Sequence, residues 1–149
     1  MAASRFRRTL TRSAAAFVAL VLVAACGDGP TGVSILDTRF GTSLGVDLDA
    51  STRTATGLYY RDIVVGTGTQ ATASSTVTVR YELYQSNGQR REGGTLAPFT
   101  LGTRAVIDGF DEGIRGMRVG GTRQLIVPPH LGYRDNTIMV FTIELLNVT

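Results

Sequence analysis

The stretch "VIDGFDEGIRGMRVGGTRQLIVPP", residues 106–129, determines the fold that we predict for this chain. Its first half carries apolar residues at intervals of three and four, the period of an amphipathic helix: Ile107, Phe110, Ile114 and Met117. We expect a helix of about three turns that has Asp108 as its N-cap and ends before Gly120 and Gly121. A strand-like run and a double proline follow, so this helix is expected to stand among strands.

The segments around this helix alternate between apolar and polar residues, which is the period of β-strands. In "STVTVRYELY", residues 75–84, one face consists of Val77, Val79, Tyr81 and Leu83. The Asn87-Gly88 pair that follows predicts a hairpin. Four more strands are predicted, in residues 57–65, 97–102, 123–128 and 137–148. The more apolar face of the last strand, which we expect to point to the core, comprises Met139, Phe141, Ile143 and Leu145. The pattern predicts an α+β fold, a twisted antiparallel β-sheet wrapped around one short α-helix.

The first 25 residues have the composition of a secretory signal peptide. Four arginines precede the apolar run Ala14–Ala25, which is too short to span a bilayer. The run ends in "LVAAC", residues 22–26, which resembles the bacterial lipobox, where cleavage leaves an acylated cysteine. We therefore predict lipidation of Cys26 and an extracytoplasmic, lipid-anchored protein of the bacterial cell envelope. Gly27 at the next position favours the outer membrane. The alternative is plain secretion after cleavage near Ala25.

Removing residues 1–25 changes the charge of the chain. All 15 basic residues are arginines, and the 4 in this segment leave 11 against 12 acidic residues, a formal charge of −1. Without a basic cluster beyond Arg90-Arg91, nucleic-acid binding has little support. The single cysteine excludes an intrachain disulfide. One histidine and no metal-ligand motif indicate no metal site and no cofactor, and we expect a monomer.

The remaining sequence divides into a linker and one domain. Residues 26–56 are rich in Gly, Ser, Thr and Asp and are predicted to form the lipidated N-terminus and a flexible tether. Apolar residues scattered through residues 33–50 leave open whether this part packs on the domain. Residues 57–149 suffice for one small domain with one core.

The order of these segments resembles the FKBP-type peptidyl-prolyl cis-trans isomerases, in their bacterial extracytoplasmic lipoprotein form. The resemblance covers about residues 57–146. Its most specific block is Leu101–Pro129, with the pattern "VI-GF-EG--GM-VGG-R-L-VPP". In that family the helix lies across the concave face of the sheet, and the two enclose an apolar pocket. The resemblance therefore implies what the helix supports, namely a substrate pocket.

The resemblance also implies the residues of that pocket. Phe110 at the helix start would form its floor, and the Ile107 N–H and the Tyr133 hydroxyl would hold substrate carbonyls. Phe99 and Phe141 would hold the prolyl ring together with Phe110. The complete set of implied site residues is Tyr81, Glu92, Phe99, Val106, Ile107, Phe110, Tyr133 and Phe141. By periodicity alone most of these fit an ordinary core, but Tyr133 lies in a Gly-flanked loop. His130 is expected to be a solvated loop residue.

The implied activity is isomerisation of X–Pro bonds in envelope or secreted proteins. The implied partners are proline-containing polypeptides, the membrane through the N-terminal lipid, and macrolide inhibitors such as rapamycin. Three features depart from the family pattern. Arg91-Glu92 replaces the usual aromatic-Asp pair, Ala97 replaces a pocket aromatic, and the loop of residues 134–140 is short. These departures leave an alternative open, an FKBP-like client-binding or chaperone module with little or no isomerase activity.

Overall fold

The computed structural model describes residues 32–149. The predicted signal peptide and the predicted lipidation site, Cys26, lie outside the described residues. Within the described part, no helix has the length and apolar composition needed to cross a membrane.

The described residues form a seven-stranded antiparallel sheet and one α-helix. The strands are β1 (Thr52–Arg53), β2 (Tyr59–Val64), β3 (Thr76–Gln85), β4 (Arg90–Thr95), β5 (Phe99–Thr100), β6 (Thr122–Val127) and β7 (Met139–Val148). The helix, α1, spans Asp108–Ile114, and single 3-10 turns occupy Thr42–Leu44 and Pro129–Leu131. The order in the sheet is β1-β2-β6-β7-β3-β4, and β5 pairs with β3. The predicted α+β architecture is confirmed.

The helix is shorter than the sequence predicts. It has seven residues, about two turns, and Met117 is buried beyond its end. The predicted N-cap is wrong: Ile107 is the N-cap, with an extended backbone (φ −62°, ψ 151°) and no capping side chain, while Asp108 is the first helical residue. Asp108 and Asp111 nevertheless lie in the first turn, where a carboxylate is favourable for the helix dipole.

Two glycines allow the helix to lie directly on β6. A Cβ added at Gly109 would stand 2.6 Å from Val127 Cγ1, and one added at Gly113 would overlap the side chain of Leu125. Contacts this short do not occur between real carbon atoms, so only glycine permits this separation of helix and sheet. The spacing of the two glycines, one helical turn apart, thus fixes which face of α1 meets the sheet.

A buried arginine holds the C-terminal end of the helix. Arg123 donates from Nη1 to the carbonyl oxygens of Gly113 (3.0 Å) and Arg115 (3.2 Å), which the helix itself leaves without partners. Its Nε and Nη2 bind the carboxylate of Asp62 at 2.6 and 3.0 Å. The guanidinium carbon also lies 4.4 Å from the centre of the Tyr60 ring. Arg123 therefore ties the helix end to β6 and β2.

The main core lies between α1 and the concave face of the sheet. The predicted inward faces of β3 and β7 are buried there, apart from Tyr81, which is half-buried. The helix contributes Phe110 and Ile114. This arrangement brings aromatic residues of the helix and of two central strands together at one end of the core.

A second apolar cluster covers the opposite face of the sheet. It contains five buried residues, Ile35, Tyr59, Ile126, Ile138 and Val140, and is flanked by partly buried apolar residues from positions 33–48. Gln124 Nε2 donates to the Leu44 carbonyl at 2.7 Å, and the Gly41 N–H donates to the Ser86 carbonyl at 2.8 Å. The sequence leaves open whether this part of the predicted tether packs on the domain; in the structure residues 33–48 do pack on the sheet, and they bury Val140 on the outward face of β7.

Candidate functional site

A hollow of about 470 Å³ opens at the N-terminal end of α1. Residues of β3, β4 and β7, the helix start and three loops surround it. Its lining is Tyr81, Glu92, Leu96, Arg104, Ala105, Val106, Ile107, Phe110, Tyr133 and Phe141. Seven of the eight sequence-predicted site residues are thus brought together, and Phe99 lies behind them. The volume is within the range of small-molecule binding sites and suits a short peptide segment.

Phe110 is the centre of the aromatic cluster beneath this hollow. Its side chain is 3% exposed. Its ring centre lies 5.2 Å from that of Phe141 and 5.8 Å from that of Tyr81, both edge-on, and 6.3 Å from that of Phe99. All three distances lie in the range of interacting aromatic pairs, and the two edge-on pairs have a preferred geometry. Because Phe99 packs against Phe110 but does not line the hollow, it supports the floor rather than forming a wall.

Tyr81 and Glu92 form the polar side of the hollow. The Tyr81 hydroxyl donates to Glu92 Oε1 at 3.0 Å, across the β3–β4 pair. Partial burial, followed by the hydrogen bond to Glu92 and the negative charge of that carboxylate, raises the pKa of Tyr81 above its usual value. Tyr81 is therefore a neutral hydrogen-bond donor at physiological pH, and Glu92 is held at the edge of the hollow.

Ile107 lines the hollow and has a backbone N–H that the described part of the fold does not use. Its carbonyl oxygen accepts the N–H groups of Phe110 and Asp111, as expected of an N-cap. Within residues 32–149 its own N–H donates no hydrogen bond. Ile107 lies beside Val106 in the lining of the hollow. At this place an N–H that the described residues leave unused can donate a hydrogen bond to a ligand carbonyl.

Tyr133 stands at the mouth of the hollow. Its side chain is 61% exposed although it lines the hollow. The next residue, Arg134, has a left-handed backbone (φ 61°) and donates its N–H to the Pro129 carbonyl at 3.0 Å. The loop that follows, ending at Met139 where β7 begins, contributes no residue to this hollow. Tyr133 is thus fixed by a turn but left open to solvent.

The structure also places the residues that depart from the family pattern. Arg91 is exposed and lines a separate small hollow beside Tyr133, not the main one. Ala97 is exposed and does not line the hollow, but its neighbour Leu96 does, held by an N–H bond to the Val79 carbonyl at 3.0 Å. Leu96 was missed because it is the one apolar residue at the end of a polar, Gly-containing strand.

His130 differs from the solvated residue that the sequence suggests. It is half-buried, and its Nε2 lies 2.8 Å from the Thr56 carbonyl oxygen. The side chain of Thr56 donates to Glu112 of the helix. His130 therefore belongs to a set of contacts that ties residues 54–56 to α1. Within the described range, 32–149, no group of three potential metal ligands comes together.

Comparisons with known proteins agree with this architecture. A chloroplastic peptidyl-prolyl cis-trans isomerase of Arabidopsis thaliana is 36% identical over 104 residues, which make up 62% of this chain and 43% of that protein. An FK506-binding protein of Neisseria meningitidis is 34% identical over 108 residues, 62% of this chain and 96% of that protein. The crystal structure of FkpA from Escherichia coli has a TM-score of 0.59 and 29% identity, covering 67% of this chain and 52% of that one.

The chain matches very different shares of the lengths of its relatives. It spans less than half of two chloroplastic isomerases of Arabidopsis thaliana, 43% and 39% of their lengths, but nearly the whole Neisseria protein. Residues 67–146, more than half of the chain, match the model of one family. They contain the helix, the central strands and all eight predicted site residues. The chain belongs to the FKBP-type peptidyl-prolyl cis-trans isomerase family.

Proposed function

We propose that this chain is a peptidyl-prolyl cis-trans isomerase that acts on X–Pro bonds of envelope or secreted proteins in the hollow above Phe110. The observation that carries the proposal is an open, aromatic-lined hollow beside the Ile107 N–H, which donates no hydrogen bond to any of residues 32–149. A collapsed pocket would instead have favoured a module without catalysis. Family membership supports the same activity.

The chemistry requires neither a nucleophile nor a cofactor. An X–Pro bond interconverts over a barrier of about 18–20 kcal/mol that arises from amide resonance. A catalyst needs only to bind the twisted amide better than the planar one, and each 1.4 kcal/mol or so of that difference gives about a tenfold gain in rate. The twisted amide is less dipolar than the planar one and loses less on leaving water, so an apolar pocket favours it.

Each part of the hollow has a role in this mechanism. Phe110 and Phe141 hold the prolyl ring, with Phe99 behind them. The Ile107 N–H and the Tyr133 hydroxyl hold substrate carbonyls on either side of the reacting bond. The Glu92 carboxylate accepts the Tyr81 hydroxyl at 3.0 Å and so orients it toward the hollow's polar side. Glu92 has this role although the residue before it is Arg91 and not the aromatic residue of the family pattern.

A second candidate function is client binding without isomerase activity. The exposure of Tyr133, together with the absence of any residue from 134–140 in the lining, leaves the hollow open to water on that side. An open and wet pocket binds apolar segments but loses part of the benefit of a dry one. Such a module would suppress aggregation of a proline-free client and would not accelerate prolyl isomerisation.

The activity is tested by exchange NMR on a Leu-Pro tetrapeptide with a chain that begins at residue 27. We expect cis-trans exchange to accelerate in proportion to protein concentration and a macrolide such as rapamycin to inhibit it by occupying the hollow. A protein that binds the peptide without accelerating exchange would refute the isomerase and leave the client-binding module. A protein that neither binds nor accelerates would refute both.

We also propose that the chain is anchored to the cell envelope by lipid on Cys26. The "LVAAC" motif and its place after the apolar run carry this proposal. A single acyl chain binds membranes weakly, so stable anchoring requires the several chains of a bacterial lipoprotein. Mass spectrometry of the mature N-terminus should find an acylated Cys26, and Cys26→Ser should block processing. An unmodified Cys26 at the N-terminus, or retained Met1, would contradict the anchor.

A further inference from the structure

Two charged side chains lie in the wall of the hollow, and they differ in how they are paired. Glu92 accepts the Tyr81 hydroxyl. Arg104 is exposed, and among residues 32–149 its guanidinium has neither a hydrogen-bond partner nor a carboxylate within 4.0 Å. The wall therefore carries a cation whose hydrogen-bonding capacity the described part of the protein does not use.

The backbone at Arg104 is held in a conformation that does not suit an arginine. Its φ of 59° is left-handed, a region where glycine and asparagine meet less strain. The loop before it is fixed by hydrogen bonds from the Gly102 N–H to Asp111 Oδ1 (2.6 Å) and from the Thr103 hydroxyl to the Thr100 carbonyl (2.7 Å). These bonds hold Arg104 in a left-handed conformation at the edge of the hollow, and strained backbone of this kind is frequent at functional sites.

The two acidic residues that line a hollow together with Arg104 do not form an ion pair with it. Asp108 and Asp111 line a second, smaller hollow together with Arg104. Asp111 is buried and is already bound to Arg115 and to the Gly102 N–H. Asp108 is exposed and makes no ion pair with Arg104 within 4.0 Å. The charge of Arg104 is thus available to a ligand in the main hollow.

We infer that Arg104 gives the isomerase a preference for substrates with an aspartate or glutamate next to the proline. This inference rests on the proposed function of the same hollow. An extended chain advances about 3.5 Å per residue, so the neighbours of a bound proline lie against the walls of a site this size. A guanidinium pairs with a carboxylate through two parallel hydrogen bonds. Because Arg104 is exposed, the preference is modest and sensitive to salt.

The test compares peptides that differ only by Glu or Gln, placed before the proline in one pair and after it in another. We expect kcat/KM from exchange NMR to favour the Glu peptide by about twofold to fivefold in at least one pair at low salt. The ratio should fall towards one in high salt and in Arg104→Asn, which removes the charge and suits the left-handed backbone. Arg104→Lys, which keeps the charge, should retain part of the ratio.

Arg91→Gln is the matched control, because it removes the same charge from the separate hollow beside Tyr133. A wild-type ratio of one, a ratio unchanged in Arg104→Asn, or an equal loss in Arg91→Gln would each overturn the inference. A Leu-Pro peptide, which has no charge next to the proline, tests the isomerase activity separately from the Glu preference. If its exchange is not accelerated, the proposed isomerase activity is refuted, but the role of Arg104 in binding is not. In that case peptide affinities from NMR titration decide: tighter binding of the Glu peptide that is lost in Arg104→Asn supports the inference, and equal binding overturns it.

Discussion

Phe110→Ala is expected to lower the free energy of unfolding by about 3–5 kcal/mol, the range for truncating a buried phenylalanine. The ring is 3% exposed and contacts three other aromatic rings, so its loss leaves a cavity that rigid neighbours on β3 and β7 cannot fill. The same change removes the proposed floor of the substrate hollow. Isomerase activity should therefore fall strongly, and urea denaturation should show the loss of stability.

Phe110→Leu separates the two effects. Leucine fills much of the same space and keeps the helix face apolar, so most of the stability should remain. The aromatic surface against the prolyl ring is nevertheless lost, so kcat/KM should drop while the chain stays folded. A Phe110→Ala variant as stable as the wild type would contradict the burial of Phe110 between α1 and the sheet. If Phe110→Leu kept full activity, Phe110 would be a core residue without a part in the site.

The sequence predicts the position of the site better than the details of the elements around it. The three- and four-residue spacing identifies Phe110 and Ile114 correctly because both lie in α1, but it extends the helix to Met117. Met117 lies in the chain that follows the helix and is buried there. Gly116, just before it, has a left-handed backbone (φ 82°) that does not continue the helix. Periodicity reports burial, and a buried residue just beyond a helix looks like one more turn of it.

Tertiary pairing explains the elements that the sequence does not reveal. β4 (Arg90–Thr95) is exposed along its whole length and contains Gly93 and Gly94, so it lacks the apolar alternation of a strand. Its pairing with β3 alone defines it, with Tyr81 opposite Gly94. The position of Glu92 beside Tyr81 follows from that register and could be expected only from the family resemblance.

The N-terminal segment shows a different limit of sequence reasoning. Residues 33–50 have the Gly, Ser and Asp content of a linker, and their few apolar residues have no regular period. The outward face of β7, which includes Val140, is less apolar than the inward face, and its composition is that of a face in contact with solvent. In the structure Ile126 and Val140 are fully buried on that side, because the N-terminal segment covers them. Composition does not distinguish a linker from a segment that packs through a few residues.

Ile35→Ala is the second large effect that we expect, and it tests this packing. Ile35 is 0% exposed and lies among Tyr59, Ile126 and Val140, so truncation should lower the free energy of unfolding by about 2–5 kcal/mol. Leu36→Ala is the matched control, since the adjacent side chain is 66% exposed and its loss should change stability by no more than about 0.5 kcal/mol. Urea denaturation of both variants measures the difference, and exchange NMR should show little change in activity because the cluster lies on the face opposite the hollow. Equal stabilities of the two variants would mean that residues 33–50 do not pack on the sheet in solution. The prediction of a flexible tether would then hold for this segment.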